Sequence, residues 1–564
     1  MSDEAPRAEA PFIDRDAAKT RRAQMFPHLT AAQISRIARV GTEQSGTASE
    51  ILFEQGAQDV PFLVVLEGEV EIVIPTAGAE TPVVVHSAGQ FTGEVNLLAG
   101  RRSLVRARVR TAARFLVLKR PALLSLVQTD SELSELIMRA FILRRVGLLA
   151  GQEGDAVVIG SRHSAATLRV QEFLMRNGHP YRYVDADADP AVQGMFDCFH
   201  VGIGDVPVLI CRGERVLKNP SNSEIADCLG FNAEIDVGVL RDLVVIGAGP
   251  AGLAAAVYGA SEGLDTLLIE ATAPGGQAGS SSKIENYLGF PTGISGQALA
   301  SRALLQAEKF GAQISIALGA VRLHCATMPY RVELSSGELV SARAIVLATG
   351  AQYSKLKVAD LERFEGIGVY YGATFVEAQR CETDEVIVVG GGNSAGQAAT
   401  YLSNSARHVH ILIRGEGLAA SMSRYLSRRI EETPNITLHV RTEIVALEGA
   451  ESLERVTWIN DGTGEKSVMP IRHVFSMTGA SPNTDWLQGC VELDDNGFIR
   501  TGADLAGPLD AWKTTHGRAP YLMETSLPRV FAVGDVRANS VKRVASAVGE
   551  GSICVQLVHK VLAE

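Results

Sequence analysis

Leu243-Val244-Val245-Ile246-Gly247-Ala248-Gly249-Pro250-Ala251-Gly252 is a β-branched run that breaks into Gly-x-Gly-x-x-Gly ahead of an alanine-rich helical pattern. Val386-Ile387-Val388-Val389-Gly390-Gly391-Gly392-Asn393-Ser394-Ala395 repeats the plan, with alanine in the third place. A strand that turns tightly into a helix in this way suits a pyrophosphate. The first glycine makes the turn and the second lets backbone approach the phosphates. The third small residue seats the helix close, so that its first N–H groups face the anion. Two such turns imply two dinucleotides, and hence electron transfer between a nicotinamide and a flavin.

The 564 residues have room for three or four domains, and 46% apolar content supplies their cores. A net charge of −11 argues against nucleic acid, whose affinity rests on a basic face. The first sixteen residues are charged and lack an apolar h-region, so no secretory signal is expected. Leu243 to Ala260 is uncharged and long enough to resemble a membrane span. Its glycines and β-branched lead read better as a buried strand followed by a buried helix. The seven cysteines, at 198, 211, 228, 325, 381, 490 and 554, form no Cys-x-x-Cys pair and no zinc spacing. Each is expected to be a small buried hydrophobe, in keeping with a reducing cytoplasm. No metal site is expected.

Outward from the fingerprints, residues 1–25 read as a loose arm. Residues 26–146 alternate in short strands (Phe62 to Leu66, Val70 to Ile74, Val83 to His86, Phe115 to Leu118), and helices follow at Ala122 to Val127 and Glu132 to Arg145. This predicts a β-roll closed by helices. Glu67-Gly68-Glu69 is read as the turn between two of its strands. With Phe91-Thr92-Gly93-Glu94 and Arg101-Arg102-Ser103, the segment resembles the cyclic nucleotide-binding domain. The resemblance implies that Gly93, Glu94, Arg102 and Ser103 hold cAMP or cGMP. The short loop after Glu94, and Leu104 in place of a small residue, leave open a β-roll that binds nothing. Residues 152–232 give a βαβ unit, a hairpin through Arg212-Gly213-Glu214 and a final helix, an order that resembles thioredoxin and glutaredoxin. Ser164 and Thr167 hold the cysteine spacing there, and Pro207 stands where that family keeps a cis-proline, so the domain reads as redox-inactive and suited to docking.

From 240 onward the chain resembles the low-molecular-weight thioredoxin reductases, with an FAD part (240–355), an inserted NAD(P)H part (356–477) and a second FAD part (478–564). Besides the first fingerprint, the resemblance rests on Glu270, Gly275-Gly276-Gln277, Asn286, Thr349-Gly350, Val530-Phe531-Ala532-Val533-Gly534-Asp535 and Arg543-Val544-Ala545. It implies that Gly247, Gly249, Pro250, Ala251, Gly252, Glu270, Gly275, Gly276, Gln277, Asn286, Val321, Thr349, Gly350, Asp535, Arg543, Val544 and Ala545 hold FAD. Gly390, Gly392, Asn393, Ser394, Ala395, Arg414 and Gly479 would hold the nicotinamide cofactor. Arg414, after the strand Val409 to Ile413, suits the 2′-phosphate of NADPH. Leu418 and Ala419 stand where a further arginine is usual, which leaves NADH open. His408 and His410 beside that strand read as structural.

The family's Cys-Ala-Thr-Cys is absent: the chain reads Gly372-Ala373-Thr374-Phe375. Without an attacking thiolate and a resolving partner, the flavin cannot pass electrons to a disulfide there. Thr374 and Phe375 are expected to line the flavin face. The fold class that follows is multidomain: a β-roll with helices, an α/β thioredoxin-like domain and two Rossmann-like three-layer α/β domains. The implied activity is an NAD(P)H-dependent FAD oxidoreductase, a homodimer, that passes electrons to a small-molecule or protein acceptor under a cyclic nucleotide's control. Two alternatives remain. One is a thioredoxin-disulfide reductase using Cys381 or a partner's thiols, and the other is a non-enzymatic redox signalling protein.

Overall fold

The computed structural model describes residues 22–76, 79–150, 156–188, 192, 205–211, 215–419, 421–450, 452–487, 489–506 and 509–564. Most of the expected arm, the hairpin tip at 212–214 and Cys198 lie outside the described residues. The chain divides into two compact units, Met1–Gly154 and Asp155–Glu564.

In the first unit, β1 (Phe62–Thr76), β2 (Ala79–His86) and β3 (Arg106–Leu118) form an antiparallel sheet with Thr42–Gly46 on the far edge of β3. The short helix α1 (Val95–Ala99) lies between β2 and β3, and α2 (Ser131–Ala150) ends the unit. Phe62, Phe91 and Phe141 are fully buried, with ring centroids 5.4 to 6.4 Å apart, and so fasten α2 to the sheet. The turn predicted at Glu67-Gly68-Glu69 is not one: β1 runs through it with shifts in register. Gly68 takes φ +76, and a Cβ there would lie 2.2 Å from Ala112 O. Glycine thus lets the strand bulge and continue where any other residue would stop it.

The second unit opens with β4 (Ala156–Gly160), α3 (Ala165–Arg176), β5 (Tyr181–Asp185), β6 (Val208–Cys211), β7 (Arg215–Lys218) and α4 (Asn222–Leu229). The sheet order is β5-β4-β6-β7, parallel for the first pair and antiparallel after it. The Val206–Pro207 peptide bond is cis. Ser164 caps α3 and Ser221 caps α4, each accepting from a backbone N–H three residues on.

Beyond it, β8 (Leu240–Ile246), α5 (Pro250–Ser261), β9 (Thr266–Glu270), α6 (Gly276–Gly279), α7 (Gly296–Lys309) and β10 (Leu339–Leu347) build the first dinucleotide-type module. β8 pairs in parallel with β9 and β10, and the sheet is buried on both faces, hence the nearly unbroken apolar run of β8. The chain leaves this module through β11 (Ala351–Gln352). The inserted module holds α8 (Phe375–Arg380), β12 (Glu385–Val389), α9 (Asn393–Leu402), β13 (His408–Leu412), α10 (Arg424–Glu432) and β14 (His473–Ser476). β12 pairs in parallel with both β13 and β14. The return crossing, β15 (Ser481–Pro482), pairs antiparallel with β11. β16 (Val530–Ala532) then adds to β10, and α11 (Val544–Ala563) packs on α5. Leu243 to Ala260 is therefore strand then helix, and no helix among the described residues is long and apolar enough to cross a membrane.

Candidate functional site

The two fingerprints fold as strand, turn, helix. Gly247 takes φ +101, and a Cβ there would sit 2.4 Å from Ala348 O. A Cβ on Gly252 would sit 1.8 Å from Gly247 O, so α5 rests directly on the turn. Gly249 is different: its nearest neighbour is Gly276 Cα at 4.0 Å, which leaves open space beside the helix start. Gly249, Gly392 and Arg543 begin α5, α9 and α11 without any side-chain cap. The first N–H groups of these helices are thus left for a ligand, whereas Ser164, Ser221 and Ser295 cap α3, α4 and α7. The residues present fit two bound dinucleotides.

Around the first turn the structure gathers several of the expected residues. Glu270 Oε2 accepts from Ala248 N at 2.7 Å, and its Oε1 accepts from Thr272 N at 2.8 Å. With Ala273 N also donating to Oε1 at 3.2 Å, the carboxylate braces the turn through three hydrogen bonds and keeps acceptor capacity on Oε2 for a further donor. Gly275 N donates to Ala248 O at 2.7 Å, and Gln277 Nε2 donates to Ala351 O at 2.5 Å. Thr349 and Asn483 exchange hydrogen bonds of 2.9 Å across the two crossings. Burial pushes the Asp535 carboxyl up, with Lys542 opposing. Asn286 and Val321 are exposed, and no contact brings either side chain to the turn; the segment before Val321 does approach, through Leu318 N to Glu270 O at 3.0 Å.

Around the second turn, Gly390 takes φ +139, and Gly392 has nothing within 4 Å of a built Cβ. Asn393 Oδ1 accepts from Ser423 N at 2.7 Å, and Ser421 Oγ donates to Gly391 O at 2.8 Å. Arg414 is exposed just past β13, and Leu418 is buried in the module's core. Gly479, at φ +56, presses on Ser354, and Ser354 N bonds Thr478 O at 2.9 Å. Sequence reasoning missed Tyr353. It follows β11, its hydroxyl hydrogen-bonds Ser394 of α9, and it feels the charge of Asp535, so it lies between the start of α9 and Asp535 of the first module. A lone tyrosine after a strand carries no signal that separates it from core.

In Gly372-Ala373-Thr374-Phe375, Thr374 precedes α8, and Phe375 is its first residue. Thr374 N donates to Glu377 Oε2 at 2.9 Å, and the Thr374 hydroxyl bonds the same oxygen. A Cβ on Gly372 would have its nearest neighbours, Ser280 Cβ and Thr374 Cγ2, at 3.9 Å. Cys381 ends this segment fully buried, its thiol donating to the Glu377 and Ala378 carbonyls, and burial pushes that thiol up to about 12. Such a thiol is neither ionised nor accessible.

The expectation of seven unpaired cysteines needs correction. Cys325 and Cys490 form a disulfide across 165 residues, with Cα atoms 6.0 Å apart. Only the fold brings them together, because the turn Asp485–Leu487 packs on the strand Ala320–His324. The bond lies with Leu323 and Leu487, in a different cluster from the one holding Ala373 and Cys381. It also removes the support that scattered thiols lent to a reducing compartment.

In the first unit, Gly93 takes φ +103, and Glu94 begins α1 without a side-chain cap bond. Asn96 Nδ2 donates to Arg102 O at 2.8 Å, which places Arg102 beside α1, its buried Nε without a partner. Ser103 turns its hydroxyl to Val105 O at 2.8 Å. Glu94 is ion-paired with Arg145 of α2 at 2.8 Å. Arg144, the residue before, donates to the Gly93 and Phe91 carbonyls, and burial lowers its pKa to about 9. Sequence reasoning missed both arginines, whose helix reads only as apolar packing.

The fold and the two turns define a two-dinucleotide oxidoreductase module, and comparison with known proteins agrees. The family model "Pyridine nucleotide-disulphide oxidoreductase" matches residues 241–551, and "Cyclic nucleotide-binding domain" matches 43–130. The chain belongs to the pyridine nucleotide-disulphide oxidoreductases; it is a flavoprotein oxidoreductase of thioredoxin reductase type, fused to a cyclic nucleotide-binding domain. The thioredoxin reductase of Listeria monocytogenes is 33% identical over 325 residues, which is 58% of this chain and 95% of that protein. NADPH-dependent thioredoxin reductase 3 of Arabidopsis thaliana is 31% identical over 367 residues, 62% of this chain, and this chain spans 65% of its length. Among solved structures, Lactococcus lactis thioredoxin reductase in its FR conformation superposes with a TM-score of 0.52 at 27% identity, covering 57% of this chain and 99% of that one. The T. acidophilum enzyme gives 0.51 at 25% identity, with the same coverage.

Proposed function

We propose that this protein oxidises NAD(P)H with bound FAD and hands the electrons to an external acceptor without a protein dithiol. The observation that carries this reading is Gly372-Ala373-Thr374-Phe375, with Cys381 buried and protonated nearby and the disulfide in another cluster. When bound, FAD supplies hydride acceptance from a nicotinamide and electron release to an oxidant. The chain's part is to seat the pyrophosphates on α5 and α9 and to brace the first turn through Glu270. Arg414, exposed just past the end of β13, supports NADPH. Residues 152–232 are read as a thioredoxin-like domain without redox chemistry, from the sheet order of their described strands and from Ser164 and Thr167 at the cysteine spacing. The first unit is read as a cyclic nucleotide sensor, in which a ribose hydroxyl and Arg145 would compete for Glu94. The family resemblance supports a homodimer.

Anaerobic titration of the yellow protein with NADPH tests the reading. Flavin bleaching complete at two reducing equivalents per subunit, followed by reoxidation by a quinone and not by oxidised thioredoxin, is the expected result. Uptake of two further equivalents by a Cys325→Ser/Cys490→Ser variant would reveal a second dithiol and end it.

A further inference from the structure

Helix α3 of the thioredoxin-like domain buries residues toward more than its own sheet. It has two buried sides. Val170, Phe173 and Leu174 pack into the core cluster shared with the domain's own strands, while Leu168 joins the cluster of Tyr370, Ala373 and Ala378 around α8. At its N-terminus Ala165 meets Gly366, where an added Cβ would lie 2.8 Å from Ala165 Cβ, so only glycine permits this approach. In mid-helix Glu172 hydrogen-bonds Glu377 of α8, with Arg176 and Arg380 beside the pair. At its C-terminus Arg176 Nη2 donates to Gly276 O at 3.1 Å, and Gln297 Nε2 donates to Arg176 O at 2.8 Å. One helix thus spans from the α8 segment to the α6 turn against the first fingerprint.

The chemistry on both sides of this contact has been removed. Ser164, at the first thiol position of the domain, uses its hydroxyl to cap α3 by accepting from Thr167 N at 3.3 Å. Across the contact, α8 begins at Phe375, preceded by Gly372 and Thr374. Cys381, the one thiol in this cluster among the described residues, is buried and protonated, so the contact offers no thiol pair for exchange, and what it does physically is occupy a protein-sized face.

We propose that the thioredoxin-like domain is a built-in stopper on the α8 face, so that the electron acceptor is a small molecule and not a folded protein. This rests on the reading above that electrons leave the flavin for an external acceptor. A folded partner approaching the edge between α6 and α8 would have to displace α3, its buried Leu168 and the Glu172–Glu377 pair, whereas a small oxidant need displace none of them.

The test uses the full-length holoprotein and two opening variants, Leu168→Asp and Glu172→Arg. Neither touches the domain's own core, so β4 and β6 should keep their hydrogen-exchange protection. Protection of residues 165–176 and 366–381 should fall together by about tenfold or more. Under anaerobic conditions with NADPH, the wild type should reduce menadione at least about tenfold faster than cytochrome c. The variants should keep the menadione rate within about twofold and gain about fivefold or more on cytochrome c. Equal rates on both acceptors in the wild type, or variants that loosen α3 without gaining on cytochrome c, would overturn the stopper alone. A protein that reduces neither acceptor would overturn the underlying reading, and the stopper with it.

Discussion

Gly249 and Gly252 stand three residues apart in one turn, yet they are glycine for different reasons. Gly252 has no room: an added methyl would lie 1.8 Å from Gly247 O, so Gly252→Ala should separate α5 from its strand and yield a colourless, less stable protein. Gly249 has room until a ligand arrives, so Gly249→Ala should leave the thermal unfolding of the apoprotein unchanged while weakening FAD loading, read as the 450-nm absorbance retained on dialysis. At the other end of the chain, Glu524 is fully buried and accepts from Arg518 at 2.6 and 2.8 Å and from Tyr521 N and Arg529 N at 3.0 Å. Arg518→Ala would strand that carboxylate. A loss of about 3 kcal/mol in urea unfolding is expected, at the low end for a broken buried pair because Arg518 keeps part of its side chain in solvent. A loss below about 1 kcal/mol would show that Glu524 finds water instead.

At the scale of elements, the contact of α3 with α8 carries a titratable pair. Burial, then the hydrogen bond and charge of Glu377, push the Glu172 carboxyl up to about 9, against the pull of Arg176 and Arg380. A carboxyl whose pKa rises on folding holds its proton more tightly when docked. Its contribution is therefore complete below the ordinary glutamate value of 4.5 and is lost as pH climbs toward 9. Protection factors for residues 366–381, corrected for intrinsic exchange, should be lower at pH 9 than at pH 6, and Glu172→Gln should flatten that slope. An unchanged slope in Glu172→Gln would assign the pH effect elsewhere. The fingerprint elements were legible in the sequence because β-branched residues, spaced glycines and alanines are local signals. Glu67-Gly68-Glu69 was misread because a bulge and a turn use the same glycine, and only the facing strand decides between them.

At the scale of the molecule, the Cys325–Cys490 disulfide joins the segments on either side of the inserted module and closes a loop that contains the whole of it. Cross-linking so long a loop restricts the unfolded chain, so Cys490→Ser should lower stability by about 2–4 kcal/mol in urea. The inserted module's own exchange pattern should stay the same. Arg429 of α10 reaches Glu285 at 2.7 Å, a second tie between the inserted module and the first one, besides α3. In the first unit, Arg145 holds Glu94 from α2, so cAMP binding, if it engages Glu94, should raise exchange near residue 145. Arg145→Ala should tighten cAMP binding in isothermal titration, and weaker binding would show instead that Arg145 orients Glu94 for the nucleotide.

The sequence by itself determined the two strand–turn–helix fingerprints and the thiol-free stretch Gly372-Ala373-Thr374-Phe375, because each is written in residues adjacent along the chain. The tertiary structure alone decided that Cys325 meets Cys490, that Tyr353 bonds Ser394 beside Asp535, that Arg145 holds Glu94 and that α3 packs on α8. Each of these joins residues far apart in sequence, and no local pattern encodes a distance that only packing creates.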